Sequence, residues 1–253
     1  MHFAAYSLVG ESMKDPGKYF RNNLANAINL ADAAVAGGVK SIVFSSTAAT
    51  FGEPDEIPIR ETTTQLPINP YGESKLCFEK VLHWYHQIHG LRYVALRYFN
   101  AAGASANYGE HHQPETHLIP LILQVAQGKR DKIMIYGDDY GTPDGTCIRD
   151  YIHIIDLAQA HMLAMNAPKS GHYNLGTGHG LSVKEIISSA RRVTGHPIPA
   201  EVAPRRVGDP PRLIACSDLA KQELGWKPRF EDADTIIESV WKWLQKYPEG
   251  YKS

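Results

Sequence analysis

The first hundred residues alternate between short apolar segments and amphipathic ones, and this alternation constrains the fold more than any other feature of the sequence. The run Ser41–Ser46 is apolar and rich in β-branched residues, which is typical of a buried strand. Tyr93–Tyr98 is a second such run, and a helical pattern precedes each of them. Met1–Ala5 resembles the end of a further buried strand. We therefore predict a parallel sheet with crossover helices, whose ligands lie beyond the carboxyl ends of the strands.

The composition excludes several classes of protein. A chain of 253 residues with 43% hydrophobic and 21% charged residues is typical of a soluble globular protein with one large domain or two modest ones. The formal net charge of -1 gives no basic field for nucleic acid, and no apolar run is long enough for a membrane span. The three cysteines Cys77, Cys147 and Cys216 are far apart, which favours reduced thiols in the cytoplasm. We predict a cytoplasmic protein without nucleic-acid or membrane partners.

The segment Asn69–Lys75 sets a tyrosine and a lysine four residues apart at the start of a predicted helix. Asn69 can cap this helix, and Pro70 suits its first position. Tyr71 and Lys75 then share one helix face. A cation near a phenol, together with the helix N-terminus, favours the phenolate, so Tyr71 can act as a general base near neutral pH. Spacing alone favours an ordinary surface pair over such a base.

The position of this helix favours a functional site at Tyr71 over an ordinary surface pair. Thr47 follows the first predicted strand, and Tyr98–Asn100 follows the second. Both segments therefore lie at the sheet edge where ligands bind, and the Tyr71 helix begins at the same edge.

After Asn100 the chain changes character. A loop rich in glycine, alanine and histidine leads into shorter predicted elements, and we predict a second, smaller region. The predicted helices span 118–128, 157–166 with Asp156 as the cap, 182–194 with a capping box at Ser182, 218–224 and 233–245, and the predicted strands span 133–137, 151–155, 172–175 and 201–203.

Other clusters invite functional interpretations that we judge less favoured. His83, His86 and His89 recur every third residue of one helix, so they drift around it and do not converge on one ion. His111, His112 and His117 lie in and just beyond a loop without acidic or thiol companions beside them, so we predict no metal site. The loop Gly176–Gly180 has the spacing G-x-G-x-G, which favours a tight turn over a dinucleotide-binding loop. Arg205 and Arg206 fit a phosphate site and a solvated turn about equally.

Taken together, the motifs resemble the extended short-chain dehydrogenase/reductase family, and within it the bacterial UDP-glucose 4-epimerases, over essentially the whole chain. The resemblance rests on HFAA (2–5), VGES (9–12), NN (22–23), SSTAATFG (45–52), NPYGESK (69–75), LRYFN (96–100), PETHLIP (114–120), YGDDY (136–140), DGTCIRDYIH (144–153), NLG (174–176), APRRVGDP (203–210) and PEGY (248–251). The tyrosine–lysine spacing alone identifies only the superfamily, whereas the combination is far more specific.

The resemblance implies a role for each matching residue. Tyr71 would be the base for the sugar 4-hydroxyl, Lys75 would bind the nicotinamide ribose and lower the pKa of Tyr71, and Thr47 would position the sugar. The implied cofactor is NAD, contacted by Phe3, Ala4, Asn22, Tyr71, Lys75 and Phe99. The implied UDP-sugar contacts are Thr47, Tyr98, Asn100, His117, Leu118, Met134, Tyr136, Arg149, Arg206 and Asp209. The implied reaction interconverts UDP-glucose and UDP-galactose through transient oxidation at C4.

Related activities can be weighed against individual residues. The 4,6-dehydratases of this family carry Asp-Glu after the active-site threonine, whereas this chain has Ala48 and Ala49, which cannot do acid–base chemistry. Another NAD-dependent nucleotide-sugar epimerase, a decarboxylase and a non-catalytic UDP-sugar-binding module remain as alternatives. Leu213 is intermediate in size at the position that gates N-acetylated sugars, which leaves UDP-GlcNAc open as a second substrate. The family commonly forms homodimers, for which the helices 16–37 and 71–88 are candidates.

The sequence departs from the family at its start. The family begins with a strand, a G-x-x-G-x-x-G turn and a helix, and these 253 residues contain no such turn. We therefore expect a Rossmann-like parallel sheet that lacks its first strand–helix units, plus a smaller α/β substrate domain. The expected domains are residues 1–100, with about 150–168 returning to them, and residues 101–149 with 169–253. We expect the chain alone to bind NAD poorly and to be inactive or prone to aggregation.

Overall fold

The computed structural model describes residues 1–206 and 209–251. Val207 and Gly208 of the predicted phosphate loop, and residues 252–253 of the expected second domain, lie outside this part of the chain. The helices are α1 Val9–Ser12, α2 Pro16–Tyr19, α3 Asn26–Ala36, α4 Pro70–His89, α5 Leu118–Ala126, α6 Ile154–Met165, α7 Val183–Thr194, α8 Asp218–Glu223 and α9 Ala233–Lys246. The strands are β1 Ser41–Thr47, β2 Arg92–Tyr98, β3 Asn100–Ala102, β4 Ile133–Tyr136, β5 Ile148–His153, β6 Gly171–Leu175, β7 Gly180–Ser182, β8 Ala200–Ala203 and β9 Arg212–Leu213.

The chain forms two compact units. The first comprises Met1–Phe99, Gln159–Leu175 and Ala215–Trp226, and the second comprises Asn100–Ala158, Gly176–Ile214 and Lys227–Ser253.

Apart from the boundary residue Asn100, which belongs to the second unit, these units differ from the expected domains at three places. Residues 150–158 belong to the second unit, because β5 pairs with β3 and β7 there. Residues 169–175 belong to the first unit, because β6 pairs with β2. Residues 215–226 also belong to the first unit, where the Tyr173 hydroxyl on β6 donates to Glu223 on α8 at 2.8 Å.

The first unit is built on the parallel sheet β1-β2-β6. Residue pairs run in register from Ser41 opposite Arg92 to Thr47 opposite Tyr98, so the two strands end side by side. Helices α3 and α4 bury their apolar faces against the sheet, with Phe78 of α4 edge-on to Phe44 of β1 at 4.9 Å between ring centroids. The predicted strand–helix alternation is confirmed here, and β1 and β2 are buried along nearly their whole length, as their continuous apolar runs predict.

The first 36 residues differ from the prediction. Met1–Ala5 is not a strand, because only His2 forms a bridge, exchanging backbone hydrogen bonds with Val43 and Ser45 of β1. The predicted single helix from Pro16 to Gly37 is instead α2 and α3 joined by a π-helical segment, Phe20–Ala25. A π-helical turn depends on packing and has no local sequence rule that would have predicted it.

The second unit packs α5, α7 and α9 around a core that includes Ile122, Leu123, Ile187, Ile237 and Trp243. Strand β5 pairs with β3, β7 and β9, and β4 pairs separately with β8 in parallel. The capping box predicted at Ser182 is present.

Asp156 does not cap α6 as predicted. It lies inside the first turn of that helix, and its carboxylate accepts the backbone N–H groups of Arg229 and Phe230, at 2.9 Å each. These partners are more than seventy residues away along the chain, which is why a local rule misassigned the carboxylate. Across the residues described, no helix combines the length and the apolar character that crossing a membrane requires.

Candidate functional site

The beginning of α4 is fixed by a cap and by a close backbone approach. The Asn69 side chain accepts a 2.8 Å hydrogen bond from Gly72 N–H, and Pro70 occupies the first helical turn, as predicted. Gly72 packs against the turn that follows β1, where an added Cβ would lie 2.4 Å from the carbonyl oxygen of Ala49. Only glycine permits this approach, and it carries Tyr71 toward the end of β1.

Tyr71 and Thr47 meet at this edge of the sheet. Burial raises the pKa of Tyr71 to about 12, and the hydroxyl of Thr47 acts in the opposite direction. Thr47 also accepts a 3.1 Å hydrogen bond from Ala49 N–H, which directs its side chain at the start of a 3-10 turn, Ala48–Thr50. The phenol is therefore protonated at neutral pH in this arrangement.

Lys75 lies on the same face of α4 and is almost completely buried. Its ammonium donates a 2.8 Å hydrogen bond to the carbonyl oxygen of Ser45 and lies 6.0 Å from the centroid of the Tyr71 ring. Burial lowers the pKa of Lys75 to about 8. Burial of the phenol outweighs the hydrogen bond from Thr47, so the pKa of Tyr71 lies above its ordinary value, whereas the sequence predicted a lowered one. The contribution of Lys75 to this pKa stays a prediction.

A buried ion pair lies one helical turn beyond Lys75, and sequence reasoning missed it. Glu79 of α4 forms a 2.6 Å ion pair with Arg97 of β2, and both side chains are at most 3% exposed. The Ser46 hydroxyl donates to the same carboxylate. Burial alone would raise the pKa of Glu79, but the hydrogen bond and the charge of Arg97 lower it below its ordinary value. The i, i+4 spacing of Lys75 and Glu79 was the available signal, because it places both on the buried side of α4.

The remaining first-unit residues assigned by resemblance lie near the ends of the strands or at the chain start. Phe3 is 55% exposed, and its ring lies 4.8 Å from that of His161. Ala4 is exposed as well. Asn22 donates to Asn23 at 3.0 Å within the π-helical segment. The Tyr98 hydroxyl is hydrogen-bonded to Ser45 Oγ, and burial raises the pKa of Tyr98.

Phe99 is partly buried directly after β2, and its backbone N–H donates to Leu175.

In the second unit, Arg149 and Asp209 form one arrangement. The Arg149 guanidinium on β5 is 12% exposed and is paired with the Asp209 carboxylate. A second nitrogen of Arg149 donates to its neighbour's carbonyl, that of Ile148, at 2.8 Å. Cys147 Sγ lies 3.7 Å from the other oxygen of Asp209, and burial raises the pKa of this thiol. A guanidinium held in this way presents a fixed, planar set of donors, which suits a diphosphate.

The other predicted substrate residues of this unit lie in three places. The Arg206 guanidinium stacks 4.0 Å from the ring centroid of Tyr136, which ends β4, and Met134 is partly buried on the same strand. Asn100 begins β3 and is exposed. His117 caps the beginning of α5 without a side-chain capping bond, Leu118 follows it, and the pKa of His117 is raised mainly by its hydrogen bond to Glu110.

Comparison with known proteins adds independent information. The model of the NAD dependent epimerase/dehydratase family matches residues 1–176. The UDP-glucose 4-epimerase of Streptococcus mutans is 59% identical over 257 residues, which cover 99% of this chain and 77% of the relative.

Solved structures agree. A UDP-glucose 4-epimerase from Brucella ovis in complex with NAD has a TM-score of 0.91 at 50% identity, covering 95% of this chain and 76% of that one. One from Bifidobacterium longum in complex with NAD+ and UDP has a TM-score of 0.94 at 42% identity, covering 99% of this chain and 77% of that one. These neighbours confirm the predicted Rossmann-like α/β fold.

Proposed function

The chain belongs to the NAD dependent epimerase/dehydratase family, and on that premise we propose that it interconverts UDP-glucose and UDP-galactose with NAD as cofactor. The observation that carries the proposal is the convergence of Thr47, Tyr71 and Lys75 at the end of β1. Relatives that are 55–59% identical to this chain over the aligned residues are UDP-glucose 4-epimerases.

The residues present fit a nicotinamide nucleotide. The Lys75 ammonium has three N–H donors, and the Ser45 carbonyl takes one, so the others can reach ribose hydroxyls. Phe3, Ala4, Asn22 and Phe99 are our remaining proposed cofactor contacts. When bound, NAD supplies the redox chemistry by accepting a hydride from C4 of the sugar and returning it.

The protein's own contribution is proton transfer and positioning. We assign to Tyr71 the removal of the proton from the sugar 4-hydroxyl, with Thr47 hydrogen-bonded to the same region of the sugar. Because burial holds the pKa of Tyr71 near 12, the phenol must gain a favourable charge when the site fills. We assign to the Lys75 ammonium, which lies 6.0 Å from the centroid of the Tyr71 ring, the stabilisation of the phenolate.

The UDP portion is assigned to the second unit. The guanidinium groups of Arg149 and Arg206 suit the two phosphates, because each presents planar paired donors. Asp209 holds Arg149 in place until the nucleotide competes for it. The further proposed contacts of this unit are Asn100, His117, Leu118, Met134 and Tyr136. Tyr98 of the first unit is a further proposed contact of the substrate.

We also propose a cytoplasmic homodimer. The three cysteines are free, as expected of a reducing compartment. Trp84 and Ile88 on the outer face of α4 are 62% and 69% exposed, and Leu30 of α3 is 43% exposed. Burying these side chains against a second copy would remove apolar surface from water.

The test is to incubate the purified chain with NAD and UDP-galactose and to follow the appearance of UDP-glucose by NMR. A parallel sample with UDP-GlcNAc in place of UDP-galactose shows whether the N-acetylated sugar is also a substrate. Conversion of UDP-galactose supports the proposal and contradicts the expectation that the chain alone is inactive. Calorimetric titrations with UDP and with NAD separate the alternatives, because a non-catalytic UDP-sugar-binding module would bind UDP but not NAD. A decarboxylase would instead release CO2 from a UDP-uronic acid and leave UDP-galactose unchanged.

A further inference from the structure

Four side chains in the segment before α5 converge on one point. The ligand atoms of Glu110, His112, Glu115 and His117 all lie within 4.8 Å of one another. The Nδ1 atoms of both histidines face the same oxygen of Glu110, that of His112 at 3.1 Å and that of His117 in closer contact. Glu115 lies 3.8 Å from His112 Nδ1. Two imidazole nitrogens and two carboxylates are thus brought together by a segment of eight residues.

The two carboxylates are the more buried half of this cluster. The side chain of Glu110 is 19% exposed and that of Glu115 is 8% exposed, whereas the two imidazoles are about half exposed. Two backbone N–H groups, of Thr116 and His117, donate to Glu115 at 2.7 and 2.8 Å and fix its direction. A bound ion would therefore find one carboxylate already oriented, which lowers the conformational cost of binding.

From this geometry we propose that Glu110, His112, Glu115 and His117 bind one divalent transition-metal ion of the Zn2+ class. Imidazole nitrogen suits Zn2+ and its neighbours better than Mg2+ or Ca2+, which prefer an all-oxygen shell. Tetrahedral zinc with bonds of about 2.0–2.1 Å sets its ligand atoms roughly 3.3 Å apart. The distances from His112 Nδ1 to the carboxylates of Glu110 and Glu115, 3.1 and 3.8 Å, lie on either side of this spacing.

The proposed site is structural, and it shares His117 with the proposed UDP-sugar contacts, so the imidazole that we assign to the ion leaves only the backbone of His117 for the nucleotide. Four protein ligands fill a tetrahedral zinc shell, so no position is left for a reacting water. The ion would tie Glu110, His112 and Glu115 to His117, the cap residue that precedes α5. A cavity of about 340 Å³, lined by Glu110, His112 and Glu115 among others, borders the cluster and gives a hydrated ion a route to it.

The sequence prediction of no metal here rested on an apparent lack of acidic companions. Glu110 and Glu115 in fact alternate with the histidines in the pattern E-x-H-x-x-E-x-H. That spacing is the signal that could have revealed the cluster.

The test uses the full chain, stripped with a chelator and titrated with Zn2+ by calorimetry, and with Co2+ to record its visible absorption. We expect one equivalent of Zn2+ and the intense d–d bands of tetrahedral Co2+. Loss of a residue that only hydrogen-bonds to a metal ligand typically lowers metal affinity by roughly 10–100-fold. His112→Ala and Glu115→Gln each remove a proposed ligand, so each should lower the Zn2+ affinity by at least that factor. Glu115→Gln keeps an oxygen acceptor for the two backbone N–H groups, so it tests the charge rather than the fold.

His111→Ala is the matched control, because His111 neighbours the cluster but contacts Tyr251 instead. It should bind Zn2+ like the parent chain. The proposal is overturned if Zn2+ shows no saturable binding, if His112→Ala binds it unchanged, or if a thiolate-to-Co2+ charge-transfer band assigns the ion to cysteine. If Zn2+ shows no saturable binding, the four side chains form ion pairs with one another and hold no metal.

Discussion

Lys75 on α4 donates a 2.8 Å hydrogen bond to the backbone carbonyl of Ser45 on β1. The bond places the ammonium beneath the end of the strand, two residues before Thr47, and removes it almost completely from water. The same contact therefore positions the lysine and lowers its pKa to about 8. A lysine held in this way can orient a ribose, and its pKa responds to any charge that comes close to it.

The first prediction concerns the pH dependence of stability. The pKa of Lys75 is near 10.5 when unfolded and about 8 when folded, so between these values the unfolded chain binds more protons and folding becomes more favourable as pH rises. Tyr71 acts oppositely between pH 10 and about 12, where the folded chain binds more protons and stability falls as pH rises.

Urea unfolding of the parent chain and of Lys75→Met across this range measures both effects. The free energy of unfolding of the parent, relative to the variant, should rise from about pH 8 toward 10.5. Tyr71→Phe is the internal control, because it should alter the profile only above pH 10. A difference between parent and Lys75→Met that stays constant with pH would show that the ammonium is not desolvated.

What could be predicted from the sequence was mostly local. The Asn69 cap and the Ser182 capping box follow from side chains that bond within three residues, and both are present. Strands β1 and β2 could be recognised because burial on both faces makes them continuously apolar.

The features that were missed depend on distant parts of the chain. The two-residue strand β9 exists because it pairs with β5, more than fifty residues earlier. Asp156 binds the loop before α9, and the pair Glu79–Arg97 joins a helix to a strand. The direction of the Tyr71 pKa was also wrong, because spacing shows which groups are near but not how deeply they are buried.

The second prediction concerns Gly72. Gly72→Ala forces a Cβ to within 2.4 Å of the Ala49 carbonyl oxygen, so α4 and the turn after β1 must separate. We expect a loss of about 1–3 kcal/mol in the free energy of unfolding, as for other overpacked sites, and a larger proportional loss of turnover than of UDP binding. Gly10→Ala in α1 is the control, because an added Cβ there meets nothing within 4 Å. Equal stability of the two variants would contradict the close packing.

The third prediction concerns the diphosphate. Arg149→Lys keeps the positive charge but loses the planar paired donors, so UDP affinity should fall by roughly tenfold, the equivalent of about 1.4 kcal/mol. Arg192→Lys, an exposed arginine of α7 paired with Asp234, should bind UDP like the parent. Calorimetry with UDP gives both values. Unchanged affinity in Arg149→Lys would remove this residue from the proposed nucleotide site.

The central claim is that Tyr71 transfers the proton in an NAD-dependent epimerisation. Its most direct test is run at saturating NAD, because the chain alone is expected to bind NAD poorly. It compares the rate of UDP-galactose conversion by Tyr71→Phe with that of Tyr85→Phe, a second tyrosine of α4 whose hydroxyl bonds to Asp32. We predict that Tyr71→Phe lowers the turnover number by about 10²–10⁴-fold while calorimetry finds UDP binding unchanged, and that Tyr85→Phe turns over like the parent chain. A Tyr71→Phe chain that converts UDP-galactose at the parent's rate would contradict the account.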